Sequence, residues 1–310
     1  MKLTEATDTY IKELQRRNFV NSTIANYRSL FRLWIAFGRS HCLTNLSDYN
    51  QVIIRNFLDS WHVQPSTAKT RYKMLRAFFV FATDMDWINQ SPMAKLKPPK
   101  VTQIPTPPLT REEFQSLALA AENLPGERAL IFLMRYSGLS IGDAVGCRMD
   151  AINGDTLTLH RTKTGELVVV PLPDLVLDSL REIEGVFGTD HYFWSGTILR
   201  VSATKQWRMK LQHVGRIAGL QNFRPHQLRD TFAVEFLIAS RSIEDLSALL
   251  GHSSVITTEL YYAPWVMARR DRLIRIVKEV NDSDSMLRFL TERMRKKKAG
   301  AGDNGSRFHV

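Results

Sequence analysis

The chain has 310 residues, enough for two separate hydrophobic cores. Its 44% hydrophobic and 24% charged content is ordinary for a folded protein, and no run of about 18 apolar residues offers a transmembrane helix. The excess of 42 Lys and Arg over 31 Asp and Glu, net +11, is spread over both halves; it suits a chain that wraps a polyanion such as nucleic acid rather than one with an appended basic tail.

Residues 1–95 read as wholly helical. The opening, MKLTEATDTYIKELQRR, is amphipathic and lacks the apolar core and cleavage site of a secretory signal. Ile11, Leu14 and Val20 lead into a second helix, where Ile24, Tyr27, Leu30, Phe31 and Trp34 recur at three- and four-residue steps. Ser22 or Thr23 is its expected N-cap and Gly38 its expected stop. In STAKTRYKMLRAFFVFATDMDW, Tyr72, Leu75, Phe78 and Phe79 form the stripe predicted to be buried. Lys69, Arg71, Lys73 and Arg76 point away from it and are the expected DNA-backbone contacts of this domain.

The next stretch, KLKPPKVTQIPTPPLT, carries five prolines and cannot be helix interior. Residues 96–109 are read as an interdomain linker. Thr110 with Glu113 forms a capping box that opens the second domain, expected over residues 110–280. There, REEFQSLALAAENL and ERALIFLMRYSG are helical patterns, and DTLTLHRTKTGELVVVPLP alternates as a β-hairpin. HYFWSG is a short aromatic piece, after which helices dominate to about residue 280. The tail, 281–310, begins with a helical MLRFLTERM and ends in AGAGDNGSRFHV, expected to be disordered.

Three stretches could carry chemistry. In RPHQLRDTFAVEFLIAS, Pro225 suits a first helical turn, so His226 and Arg229 lie on neighbouring positions of one face, where an imidazole and a guanidinium can hold a phosphate. Leu228, Phe232 and Phe236 form the anchoring stripe. In SIEDLSALLGHSSVITTELYYAPW, Ser242 caps a short helix, Leu246, Leu249 and Leu250 face inward, Gly251 ends it, and His252 follows. A second helix, from about Ser254 to before Pro264, carries Tyr261 and Tyr262. This layout also fits a DNA-reading helix-turn-helix, but VITTEL lacks the Arg, Asn or Gln that a recognition helix uses. The third stretch is the hairpin turn RTKTG, which presents Lys163 as a mobile ammonium able to protonate a leaving oxygen.

Two cysteines, Cys42 and Cys147, are too few for a disulfide framework and lack metal-ligand spacing, so a reducing cytoplasm is the expected setting. Neither GxxxxGK[ST] nor GxGxxG occurs, and no ATP or NAD loop is expected.

A lysine on a hairpin, then H-x-x-R, then L-G-H, then tyrosine about ten residues on is a pattern that resembles the tyrosine recombinase (phage integrase) family, over nearly the whole chain. The resemblance implies a mainly α fold in two domains, a helical core-binding domain and a mixed α/β catalytic domain, clamped around duplex DNA. It implies site-specific recombination or integration through a 3′-phosphotyrosyl link and a Holliday junction, as a homotetramer on paired sites, with residues 281–310 in protomer contacts. No metal, no nucleotide and no other cofactor is implied, because the phosphodiester energy is kept in the protein–DNA bond. Lys163 is implied as the general acid for the 5′ oxygen, and His226, Arg229 and His252 as the cage on the scissile phosphate.

A phenol is a poor nucleophile until positive donors stabilise the developing charge. Tyr261 follows His252 by nine residues, the commonest family spacing, whereas Tyr262 directly precedes Ala-Pro, as in one integrase subgroup. Their side chains diverge by about 100° on a helix, so one attacks and the other packs; Tyr262 is favoured. The family's first catalytic arginine is missing, because YSGLSIGDAVGCR has Ser140 at that place. Arg135 and Arg148 lie near in sequence without being obvious replacements. Either another arginine substitutes in space, or the chain is a DNA-binding member of impaired activity.

Overall fold

The computed structural model describes residues 1–101, 107–240, 242–262 and 267–301. It is mainly helical, with one small sheet, and the chain divides into two compact units, Met1–Ile104 and Pro105–Val310. The division falls within the proline-rich stretch. On one side Tyr72 Oη donates to Leu96 O at 2.5 Å, within the first unit. On the other, Leu109 N donates to Thr231 Oγ1 at 2.9 Å, and Gln227 Nε2 to Pro107 O at 3.0 Å, within the second. Residues 102–106 lie outside the described residues.

The first unit contains α1 (Leu3–Arg16), α2 (Asn21–Ser40), α3 (Gln51–Asp59) and α4 (Pro65–Asp84). Its core is aromatic: Trp34 is fully buried, with Tyr49, Phe78 and Phe79 edge-on at 5.1, 5.2 and 5.3 Å between centroids. The stripe Tyr72, Leu75, Phe78 and Phe79 is buried as its spacing predicts. Two expectations for α2 fail. Val20 is exposed and itself occupies the N-cap, because Asn18 in the left-handed region turns the chain straight out of α1 into α2. Gly38 does not stop the helix, which continues to Ser40. A Cβ there would stand 2.1 Å from Tyr49 Oη and 2.9 Å from Leu43 O, so the glycine marks a close approach rather than an end.

The second unit opens with the capping box: Thr110 Oγ1 accepts from Glu113 N at 3.1 Å, and Glu113 Oε2 from Thr110 N at 2.9 Å. It caps α5 (Arg111–Ala120), followed by α6 (Pro125–Ser137) and the short α7 (Ile141–Val145). The antiparallel sheet runs in the order β1 (Ile152–Asn153), β2 (Thr156–His160), β3 (Leu167–Pro171). Leu157 pairs with Val170 and Leu159 with Val168, which turns Leu157, Val168 and Val170 into the core. β1 was not foreseen, since two residues carry no periodicity.

Helices α8 (Asp174–Arg181), α9 (Arg200–Ile217), α10 (His226–Ser240), α11 (Ile243–Leu250) and α12 (Val255–Tyr262) complete the packing around the site. Beyond them lie α13 (Met267–Ser283) and α14 (Ser285–Ala301). MLRFLTERM is helical as expected, but α14 runs on through Ala301, so the AGA that opens the expected disordered stretch is helical. Residues 302–310 lie outside the described residues. Among the described residues, no helix is long and apolar enough to cross a membrane.

Candidate active site

Four segments of the second unit converge on one cavity of about 430 Å³: the α6–α7 turn, the β2–β3 tip, the start of α10, and the α11–α12 turn with the end of α12. Its lining includes Lys163, His226, Arg229, His252, Tyr261 and Tyr262, gathered from stretches up to about a hundred residues apart, together with Ser140, Asp143 and Arg161.

Each segment is held by local chemistry. Ser242 Oγ accepts from Asp245 N at 3.0 Å and starts α11; Gly251, at φ +59°, ends it, and the chain turns His252 into the cavity. Leu246 and Leu250 are fully buried and Leu249 half-buried, which seats α11. The hairpin tip turns at Gly165 (φ +75°), with Arg161 N donating to Glu166 O and Gly165 N to Arg161 O, both at 2.8 Å. Thr164 Oγ1 then donates to Gly251 O at 3.0 Å and pins the tip beside His252. Leu228 anchors α10 in the core, while Phe232 and Phe236 are only partly buried and stack on each other at 6.2 Å.

Arg229 is buried and fixed at three points. It donates from Nη1 to Gly138 O at 2.5 Å, and from Nη2 to Leu250 O at 3.1 Å and His252 Nε2 at 2.9 Å. Burial, and then the nearby Arg161 cation, draw its pKa down to about 10. Arginine carries no acceptor, so His252 Nε2 must accept and Nδ1 must carry the proton, donating to buried Thr258 Oγ1 at 2.7 Å. His252 is thus a neutral imidazole. Burial, reinforced by Arg229, Arg161, His226 and Lys163, pushes its pKa down to about 4.

The two tyrosines separate cleanly. Tyr261 is half exposed, whereas Tyr262 is buried and donates to Asp230 Oδ1 at 3.0 Å. Burial and then the Asp230 charge push the Tyr262 phenol up, and Arg229 opposes them. Asp230 also faces His226 Nε2 at 3.5 Å, and burial raises its carboxyl above the usual range. His226 is exposed toward solvent, so it and Arg229 share a helix face without sharing an environment.

Ser140 caps α7: its Oγ accepts from Asp143 N at 3.3 Å and donates to Asp143 Oδ2 at 2.8 Å. Asp143 in turn pairs with Arg161 Nη1 at 3.1 Å and accepts from Thr162 N at 3.0 Å. Burial alone would raise this carboxyl, but the Thr162 N–H, the Ser140 hydroxyl and Arg161 together hold it below the usual carboxylate range. Arg135 is engaged elsewhere, bonded to Glu235 at 2.5 Å and lying over Phe114 and Tyr136. Arg148 is held by Asp150 and Asp190.

Sequence reasoning missed Asp143, Arg161 and Asp230. Asp143 could have been found as the third residue after a serine N-cap, but Arg161 and Asp230 read as ordinary polar positions. In the first unit the four basic residues of α4 also divide. Lys73 and Arg76 are exposed and Lys69 half-buried near them on the helix face, whereas Arg71 is half-buried over the Trp61 ring at 5.8 Å.

The family model described as "Phage integrase family" matches residues 108–265, the span that builds this cavity. Among curated proteins, the chain is 24% identical over 284 residues to the tyrosine recombinase XerC of Roseiflexus castenholzii, covering 84% of this chain and 88% of that one. It is 29% identical over 195 residues to the tyrosine recombinase XerA of Thermococcus kodakarensis, covering 60% and 67%. Among solved structures, a lambda integrase dimer bound to a COC′ core site superposes with a TM-score of 0.69 at 21% identity, over 84% of this chain and 77% of that one. A lambda integrase tetramer bound to a Holliday junction gives 0.67 at 22%, over 82% and 78%. With more than half of its length matched by the family model, the chain belongs to the phage integrase family of tyrosine recombinases.

Proposed function

We propose that the protein is a site-specific DNA strand transferase, a recombinase or integrase, acting through a covalent 3′-phosphotyrosyl intermediate. The observation that carries this reading is the convergence of Lys163, Arg229, His252 and a buried tyrosine hydroxyl on one cavity rich in positive charge. Tyr262 is the nucleophile. Its hydroxyl is hydrogen-bonded to the Asp230 carboxylate that can take its proton, and Arg229 opposes the rise that burial and Asp230 impose on the phenol, whereas Tyr261 stands half exposed.

In the proposed step, the Tyr262 oxygen forms a new bond to phosphorus while the bond from phosphorus to the 5′ oxygen breaks. The phenolic proton passes to Asp230, the carboxylate that already accepts its hydrogen bond. Lys163 gives a proton to the departing 5′ oxygen. Arg229 holds the phosphate's non-bridging oxygens, trading the His252 lone pair for an anionic oxygen. His252, so released, donates to the phosphate once its proton moves from Nδ1 to Nε2 and Nδ1 accepts from the Thr258 hydroxyl instead. The exchange is isoenergetic enough to reverse, so rejoining follows the same path with a 5′-hydroxyl as attacker. No ATP, metal or other cofactor enters it.

The first unit supplies further DNA contacts, for which Lys69, Lys73 and Arg76 are the candidates, with duplex DNA at the recombination site as partner. The domains are assigned as core-binding (1–95), linker (96–109), catalytic (110–280) and a C-terminal segment (281–310). The last serves protomer contact in a homotetramer on paired sites: Met286, Leu287, Phe289, Leu290 and Met294 of α14 are all exposed. A cytoplasmic setting fits the free cysteines.

The test is a nicked duplex carrying the sequence that this protein selects from a random-sequence pool, nicked so that the released fragment diffuses away. A protein–DNA adduct stable in SDS, lost in Tyr262→Phe and kept in Tyr261→Phe, is expected. Selective binding without any adduct would favour a DNA-binding member disabled at Ser140, whose hydroxyl caps α7 and bonds to Asp143.

A further inference from the structure

The position at which the family resemblance calls for a first arginine is filled by Ser140, and its side chain is consumed within α7. A second guanidinium nonetheless reaches the cavity from elsewhere. We propose that Arg161, arriving from the end of β2, is a phosphate-binding catalytic residue that stands in for the arginine missing at position 140. The inference rests on the strand-transfer reading of this site.

Three observations converge on it. Arg161 Nη2 donates to Gly138 O at 3.3 Å, and Arg229 Nη1 donates to the same oxygen at 2.5 Å, so the two guanidinium groups stand side by side at the cavity wall. Like charges that close repel, and burying both is costly without an anion to use them. Asp143 compensates Arg161, and it is the same carboxylate that Ser140 holds, so this guanidinium is oriented by the residue that took the arginine's place.

The backbone is also shaped for the Arg161 stem. A Cβ on Gly251 would lie 2.6 Å from Arg161 Cγ and 3.1 Å from its Nε, so the turn that presents His252 leaves room for the arginine beneath it. Finally, Arg161 is 4% exposed, yet its Nε–H has no acceptor among the described residues, which leaves a buried donor unspent beside the cavity. Arg135 also has a buried Nε–H without an acceptor among the described residues, but it is tied to Glu235, and Arg148 is tied to Asp150 and Asp190. Neither is among the residues that line the cavity.

The alternative is that Arg161 only ties β2 to α7 through Asp143. The two are separated by charge on the substrate. Adduct formation is measured on the pool-selected nicked duplex with either a phosphodiester or a neutral methylphosphonate at the mapped cleavage position. For Arg161→Gln, a loss of about 10²–10³-fold is expected on the phosphodiester, as for removal of one oxyanion donor, and less than about tenfold on the methylphosphonate, which has no charge to neutralise. An unchanged rate, or an equal loss on both substrates, would overturn the proposal. Should Arg161→Gln melt below the assay temperature, Arg161→Lys serves instead, since an ammonium keeps the charge but loses the bidentate fork. It is expected to be impaired on the phosphodiester by at least about tenfold and by clearly less on the neutral ester; equal impairment would again overturn the proposal. An unaltered protein that forms no adduct would instead overturn the strand-transfer reading itself, and this inference with it.

Discussion

At the scale of single residues, the site is organised by who accepts from whom. His252 receives a guanidinium N–H at Nε2 and gives its own proton to Thr258, an arrangement that leaves no place for a second proton without breaking a bond. Its NMR titration should therefore have a midpoint near 4, where an ordinary histidine titrates near 6.5; a midpoint at 6.5 would contradict the arrangement. The sign for stability follows. Above pH 6.5 the imidazole is neutral in both folded and unfolded chains and contributes nothing. As pH falls from 6.5 toward 4, only the unfolded chain takes up the proton, so this residue lowers stability over that window. The raised carboxyl of Asp230 acts oppositely.

Asp230 is the nearest acceptor for the phenolic proton of Tyr262. Asp230→Asn should slow single-turnover cleavage by about 10²-fold or more, the range for loss of a general base, while binding to the selected duplex is retained; an unchanged rate would send the proton elsewhere. That Lys163, His226, Arg229, His252 and the tyrosine pair line one cavity was legible in the sequence only through their shared order and spacing, which resemble the family pattern, since each stretch alone reads as an ordinary surface motif. Arg161 was not. A strand-end arginine normally meets solvent, and its burial depends on Gly251, distant in the chain, lacking a side chain.

At the scale of elements, two glycines show what periodicity leaves out. Gly38 stands where a helix stop would be placed, but the obstacle is Tyr49, which arrives from beyond α2 and whose nearness no local pattern encodes. Were Gly38 merely helical, Gly38→Ala should stabilise by up to about 1 kcal/mol. Because the methyl meets Tyr49 and Leu43 O, we expect a loss of about 1–3 kcal/mol, read from chemical unfolding. Gly251→Ala faces both a left-handed backbone and the Arg161 stem, and should cost about 2–4 kcal/mol. The helices and the hairpin were otherwise readable, since capping boxes, left-handed glycine caps and strand alternation are local signals. The two-residue β1 and the true start of α2 were not, being set by pairing with β2 and by the turn at Asn18.

At the scale of the whole molecule, the net charge of +11 predicts binding to DNA that weakens steeply with salt. Substituting Lys69, Lys73 and Arg76 together by Gln should reduce the slope of log K against log salt by about 2.7, if each neutralises one phosphate. Arg71→Gln, which removes a guanidinium lying over Trp61, should change the slope less and stability more. Equal slopes for the unaltered and triply substituted proteins would remove α4 from the DNA interface.

The central claim, that a tyrosine in a cationic cavity becomes esterified to DNA, is tested most directly by mass spectrometry of the trapped adduct after protease and nuclease digestion. The account predicts a nucleotide 3′-phosphate on the peptide containing Tyr262, with its mass on that residue. A modification on Tyr261 or another side chain, or selective binding of the nicked duplex with no modified peptide at all, would contradict it.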